Sequence, residues 1–152
     1  MNETTETLEH EAALARDLGK QWECRVVKMR QFYPVDYALM MPLDKDRVGA
    51  LAELKCRTCQ HDTYDTYMIS LRKVVEIRAL CAEQRLGGFI VVRFTDGDYY
   101  WSLRSPRKAN DPAGRHVGVF DRQRDVPPKG PGSVRYEMEP VLHIPMAEFN
   151  LL

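Results

Sequence analysis

The chain has 152 residues, 44% hydrophobic and 29% charged, enough for one compact core and too few for two ordinary domains. Its 22 basic and 22 acidic side chains cancel, so no global field draws an anionic partner, and any hold on a nucleic acid must come from a local patch or a few positioned groups. The start, Met1-Asn2-Glu3-Thr4-Thr5-Glu6, is acidic and lacks an apolar run; the expectation is a soluble cytoplasmic protein without a signal peptide, transmembrane helix or membrane partner.

From Thr5 to Gly19 the apolar residues Leu8, Ala12, Leu14, Ala15 and Leu18 recur at helical spacing. Glu6, Glu9 and Glu11 lie early and Lys20 late, as the helix dipole favours, and Gly19 is the expected C-terminal cap. Glu23 to Met29 and Asp36 to Met41 read as strands separated by a bend at Phe32-Tyr33-Pro34. Pro42 to Asp46 turns the chain into a third strand, Val48 to Arg57, whose Ala50, Ala52, Leu54 and Cys56 share a face suited to packing on a helix. Tyr64, Tyr67, Met68, Leu71, Val74, Val75, Arg78 and Leu80 follow a 3.6-residue period, which predicts a helix over Asp62 to Leu86 stopped by Gly87-Gly88. Phe89 to Phe94 and Tyr99 to Leu103 flank Thr95-Asp96-Gly97-Asp98, an Asp-Gly hairpin signal.

Beyond Arg104, prolines and glycines predict an irregular stretch over about residues 104–133, which also holds the chain's only basic bias. Arg104, Arg107, Lys108 and Arg115 are its candidate DNA contacts, in either a phosphate-binding arm or a solvated loop. Arg135 to Val141 predicts a short strand, and Met146 to Phe149 a helical turn. The element order α-β-β-β-α-β-β defines an α/β fold with a central mixed sheet flanked by helices, in a single domain over 1–152.

Glu53 and Lys55 interrupt an otherwise apolar strand. Side chains two apart on a strand share a face, and two charges on an inner strand cost several kcal/mol unless paired or metal-bound. If Asp36 begins the neighbouring antiparallel strand, a second carboxylate comes beside Glu53, and two carboxylates at one point call for a cation such as Mg²⁺. The alternative is an ion pair among Asp36, Glu53 and Lys55 at a sheet end. Cys24, Cys56, Cys59 and Cys81 are read as free thiols, with Cys56, Cys59 and His61 a lesser candidate for zinc.

Pro34-Val35-Asp36, sixteen intervening positions and Glu53-Leu54-Lys55 resemble the signature of the PD-(D/E)XK nuclease superfamily, and the element order from Leu8 to Leu103 resembles it too. The style of the chain is similar to small stand-alone members carried by phages and prophages. The resemblance implies a restriction-endonuclease-like fold and a Mg²⁺-dependent DNA endonuclease, with Mn²⁺ able to substitute. It implies that Asp36, Glu53 and the backbone carbonyl of Leu54 hold the metal while Lys55 orients or deprotonates the attacking water. It further implies an assisting carboxylate on the first helix, best matched by Glu11 ahead of Glu9 and Glu6. Ser70, Lys73 and Gln60 are weaker candidates for contacts near the scissile phosphate. Branched or replicating DNA, a homodimer and a further protein partner fit a chain too short for a recognition domain. The competing reading is a catalytically silent nuclease fold acting as a binding or assembly module.

Overall fold

The computed structural model describes residues 4–44, 46–104, 116–123 and 136–152. Their order is α1 (Thr5–Gln21), β1 (Arg25–Lys28), β2 (Tyr37–Met40), β3 (Val48–Cys56), β4 (Thr66–Ser70), α2 (Leu71–Gln84), β5 (Gly87–Phe94) and β6 (Gly97–Ser102). Then come β7 (His116–Gln123), β8 (Tyr136–Pro145), a 3-10 turn (Met146–Glu148) and β9 (Asn150–Leu151).

Six strands form the central sheet in the order β1-β2-β3-β5-β6-β9, with β3 and β5 parallel and the other neighbours antiparallel. Alternation along β3 divides the core. Ala50, Ala52 and Leu54 face α1, packing with Leu14, Ala15 and Leu18, while Leu51 faces the opposite layer. That layer contains Val74, Ile77 and Cys81 of α2 together with Tyr67, Ile69, Leu142 and Ile144 of a second, antiparallel sheet ordered β4-β8-β7. The result is a mixed α/β fold with a central sheet flanked by helices, of restriction-endonuclease-like topology.

Four local expectations are corrected. Thr66–Ser70 is a strand rather than the start of the second helix: Tyr67 and Ile69 are buried while their neighbours are less so, a period of two that the Tyr and Met spacing conceals. The helix begins at Leu71 and ends at Gln84, where Arg85 takes the left-handed conformation (φ 56°); Gly87 and Gly88 belong to β5. The first helix likewise runs past Gly19 to Gln21. Gly19 is needed for close approach, because a Cβ there would stand 2.8 Å from the Cys24 carbonyl oxygen. Part of the segment expected to be irregular, His116–Gln123, is strand paired with β8; Arg107, Lys108 and Arg115 lie outside the described residues.

Candidate active site

The register of β2 against β3 assembles the site. Tyr37 pairs with Ala52, the last partner of the ladder, so one step on brings Asp36 beside Glu53. From there β3 runs on alone on that side, with Glu53, Leu54 and Lys55 still paired to Ile90, Val91 and Val92 of β5 on the other. Glu11, on α1, reaches Lys55 beside the end of β2.

Three carboxylates converge on one ammonium. Lys55 Nζ lies 3.1 Å from Glu53 Oε1, 3.5 Å from Asp36 Oδ2 and 3.6 Å from Glu11 Oε1. A second lysine, Lys73 in the first turn of α2, lies 3.2 Å from Glu53 Oε2 and 3.4 Å from Asp36 Oδ1, and donates to the Pro34 carbonyl at 3.3 Å. Lys28 of β1 contacts Glu11 Oε2 at 3.5 Å. Glu11 and Glu53 are the buried charged residues of the described structure, 3% and 2% exposed. A carboxylate so placed is retained only where cations or a metal compensate it.

Protonation follows from burial and neighbours. Burial raises the Glu53 carboxyl to about 7; Lys55 opposes the rise, and the adjacent Asp36 carboxylate adds to it. Burial also works against ionised Asp36, but its hydrogen bond with Glu53 and the charges of Lys55 and Lys73 outweigh that, and its pKa is lowered. Burial penalises the Lys55 ammonium, yet Glu53, Asp36 and Glu11 together hold its pKa above the ordinary lysine range.

The donor set fits a hard divalent cation. Glu53 Oε2 is buried and accepts no hydrogen bond, although the Lys73 ammonium is near it. Paired carboxylate oxygens at the mouth of a cleft are the ligands Mg²⁺ prefers. The cleft, of about 530 Å³, is lined by Glu11, Asp36, Glu53, Lys55, Ser70 and Lys73 among others.

Of the residues singled out in the sequence, Gln60 is not brought to this cleft and lines a neighbouring cavity. The chain turns away after Arg57, and the Cys59 carbonyl is held by the Thr95 N–H at 3.0 Å. Arg104 also lies elsewhere, donating to the Leu86 carbonyl at 3.1 Å near the opposite end of the β3-β5 pair. Sequence reasoning missed Lys28 and Arg57. Lys28 was detectable in principle, since β1 and β2 pair as a hairpin that sets it opposite Tyr37, one residue from Asp36.

A separate group, His61, Asp62 and Asp96, brings three ligating atoms within 4.8 Å of one another and is able to coordinate a divalent cation. Its His61 Nδ1 lies 2.6 Å from Asp96 Oδ2. Among the described residues no such group includes Cys56 or Cys59, and the four cysteines are free thiols.

The mixed α/β fold is that of the PD-(D/E)XK nuclease superfamily. The chain belongs to the family described as phage putative PDDEXK endonuclease, whose model matches residues 1–152. Comparison with curated proteins and with solved structures gave no match. Membership of a nuclease family implies interaction with DNA, and no helix of the described residues is long and apolar enough to cross a membrane.

Proposed function

We propose that residues 1–152 act as one Mg²⁺-dependent endodeoxyribonuclease domain that hydrolyses DNA phosphodiester bonds, working in the cytoplasm on branched or replicating DNA. The observation that carries this reading is the convergence of Asp36, Glu53 and Glu11 on the Lys55 ammonium in an open cleft.

Asp36, Glu53 and the Leu54 backbone carbonyl would hold the metal, with Glu11 assisting. When bound, Mg²⁺ supplies an activated water and offsets charge on the phosphate in the transition state. Mn²⁺ is expected to substitute. Lys55, on a rigid strand, orients the attacking water and faces the non-bridging phosphate oxygens. Lys73 holds the Asp36 and Glu53 carboxylates in place through its own ion pairs and the Pro34 carbonyl, and Ser70 offers a hydroxyl toward the phosphate. Burial of Glu11 and Glu53 excludes water from the ligand side, so the carboxylates keep their orientation without solvent competition. Arg107, Lys108 and Arg115 are proposed to extend the hold on the DNA backbone.

A branch cutter that severs two strands places two such sites on one junction, which a homodimer provides. The decisive experiment compares wild type with Lys55→Ala on supercoiled, linear, single-stranded and four-way-junction DNA in Mg²⁺, Mn²⁺ and EDTA. Metal-dependent cleavage that disappears in the variant is the expected result. Metal-independent cleavage, or none by the wild type on any substrate, would overturn the reading in favour of a silent fold kept for binding.

A further inference from the structure

A second cavity adjoins the cleft. Arg57, Tyr67 and Met68 line both, and the cavity, of about 450 Å³, is completed by Gln60, His61, Tyr64, Phe94 and His143 among others. The walls are aromatic and held in place. Tyr67 meets Phe94 and Phe149 edge to face, with centroids 6.5 and 5.6 Å apart. His61 is fixed by Asp96, which accepts from its backbone N–H at 2.9 Å and lies 2.6 Å from its Nδ1, and its ring stacks on Tyr99 at 4.6 Å. Thr66 Oγ1 and His143 Nδ1 are 3.3 Å apart. Tyr64 is 69% exposed at the rim. At the boundary with the catalytic cleft the exposed Arg57 guanidinium donates to the Tyr67 hydroxyl at 3.2 Å and lies 5.3 Å from that ring's centroid.

We propose that this cavity is a nucleobase subsite, in which a nucleotide adjoining the scissile phosphate puts its base among Tyr64, His61 and His143 and its phosphate at Arg57. The inference rests on the nuclease reading and deepens it by naming the substrate class. Arg57, Tyr67 and Met68 line both the cleft and the cavity, so the two adjoin and a strand lying across Lys55 would pass beside the cavity. Its size lies in the range of small-molecule sites. Flat aromatic and imidazole rings take any base by stacking, while the Gln60 amide and the imidazoles meet the base edge. The guanidinium at the boundary has the charge and the planar donor array that a phosphate requires. A base stacked within continuous duplex must be extruded to enter, at a cost that an already unpaired base does not bear. The subsite therefore selects DNA with an unpaired nucleotide beside the cut: a single strand, a flap or the crossover of a branch.

The test uses the full chain in EDTA, where no hydrolysis competes, and single-stranded or branched oligonucleotides carrying 2-aminopurine at successive positions. The expected result is quenching of about twofold or more at one position, removed by Tyr64→Ala, an exposed substitution that leaves the core untouched. An abasic nucleotide at that position should lower kcat/KM in Mg²⁺ about tenfold for wild type and little for Tyr64→Ala. Cleavage in Mg²⁺ with no responding position, or a response insensitive to Tyr64→Ala, overturns the subsite and leaves the nuclease standing. Absence of both DNA binding and cleavage overturns both. A two-chain mass in light scattering that falls to one chain in Tyr64→Ala assigns the cavity to a second copy and also overturns the subsite.

Discussion

Lys73 Nζ stands 3.2 Å from Glu53 Oε2, the oxygen of the most buried carboxylate that accepts no hydrogen bond. The two residues come from different layers, Glu53 from the central sheet and Lys73 from the helix laid over it. Removing the amine in Lys73→Met leaves that oxygen buried without the ammonium that faces it. The expected result is a loss of about 1–3 kcal/mol in unfolding free energy at pH 8 in metal-free buffer, read by urea denaturation, with part of the loss recovered when Mg²⁺ is added.

Glu53 also sets the pH dependence of stability. Its carboxyl is raised from the ordinary 4.5 to about 7 by burial, so between those values the folded chain binds more protons than the unfolded one. Stability from this group is therefore greatest below pH 4.5, declines as pH rises toward 7 and levels off above it, a change of about 3 kcal/mol at most. Asp36 acts in the opposite sense at lower pH, because its lowered pKa gives stability that is lost as pH falls through it. Denaturation of the metal-free chain from pH 5 to 8 should show the decline, and Glu53→Gln should flatten it.

Metal binding at the proposed ligands would displace the proton on Glu53, which makes affinity pH-dependent. Calorimetric titration with Mg²⁺ or Mn²⁺ should give tighter binding at pH 8 than at pH 6, with proton release at the lower pH. Asp36→Asn is expected to remove the heat of binding at the cleft, leaving only what the His61, Asp62 and Asp96 group contributes. Unchanged binding in that variant would remove Asp36 from the ligand set.

The role proposed for Lys55 separates chemistry from binding. Lys55→Ala should lower kcat on a cleavable DNA by about 10²–10⁴-fold while leaving DNA affinity in EDTA within a few-fold of wild type. A parallel fall in affinity would mean that the amine serves to grip the backbone.

The position of α1, and with it Glu11, depends on a cluster away from the cleft. Arg93 of β5 donates to Asp98 through Nε at 2.7 Å and Nη2 at 2.6 Å, and to Asp17 of α1 at 2.7 Å. Asp17 is half exposed and the cluster is partly screened, so Arg93→Ala should cost only about 1–2 kcal/mol. Gly19→Ala should cost a similar amount, since the Cβ would meet a backbone oxygen that cannot move aside. Both are measured by thermal unfolding.

The sequence made the first half of the molecule readable because each signal there is local. Leu14, Ala15 and Leu18 mark the buried stripe of α1, and the alternation of Ala52, Glu53, Leu54 and Lys55 fixes which charges face the cleft. The meeting of Glu11, Asp36, Glu53 and Lys55 followed from a resemblance and from strand register, and the distances bring all four together. The second sheet was not legible. Thr66–Ser70 finds its partner more than seventy residues later, in β8, and a pairing so distant leaves no local mark. Tyr67 and Met68 also suit a helical period, and only tertiary burial of Tyr67 and Ile69 decides for strand. Arg57 escaped notice because an exposed arginine past a strand end carries no pattern of its own.

The ladder between β2 and β3 shifts register between Leu39 and Met40, close to the turn that joins the strands. An irregularity there separates the end of the hairpin that carries Asp36 from the connecting end. Residues gained or lost in the stretch 41–47 can be taken up before they reach Tyr37, whereas a single residue added between Tyr37 and Leu39 would turn Asp36 away from Glu53. One short hairpin thus has an end that tolerates a change of length and an end that does not.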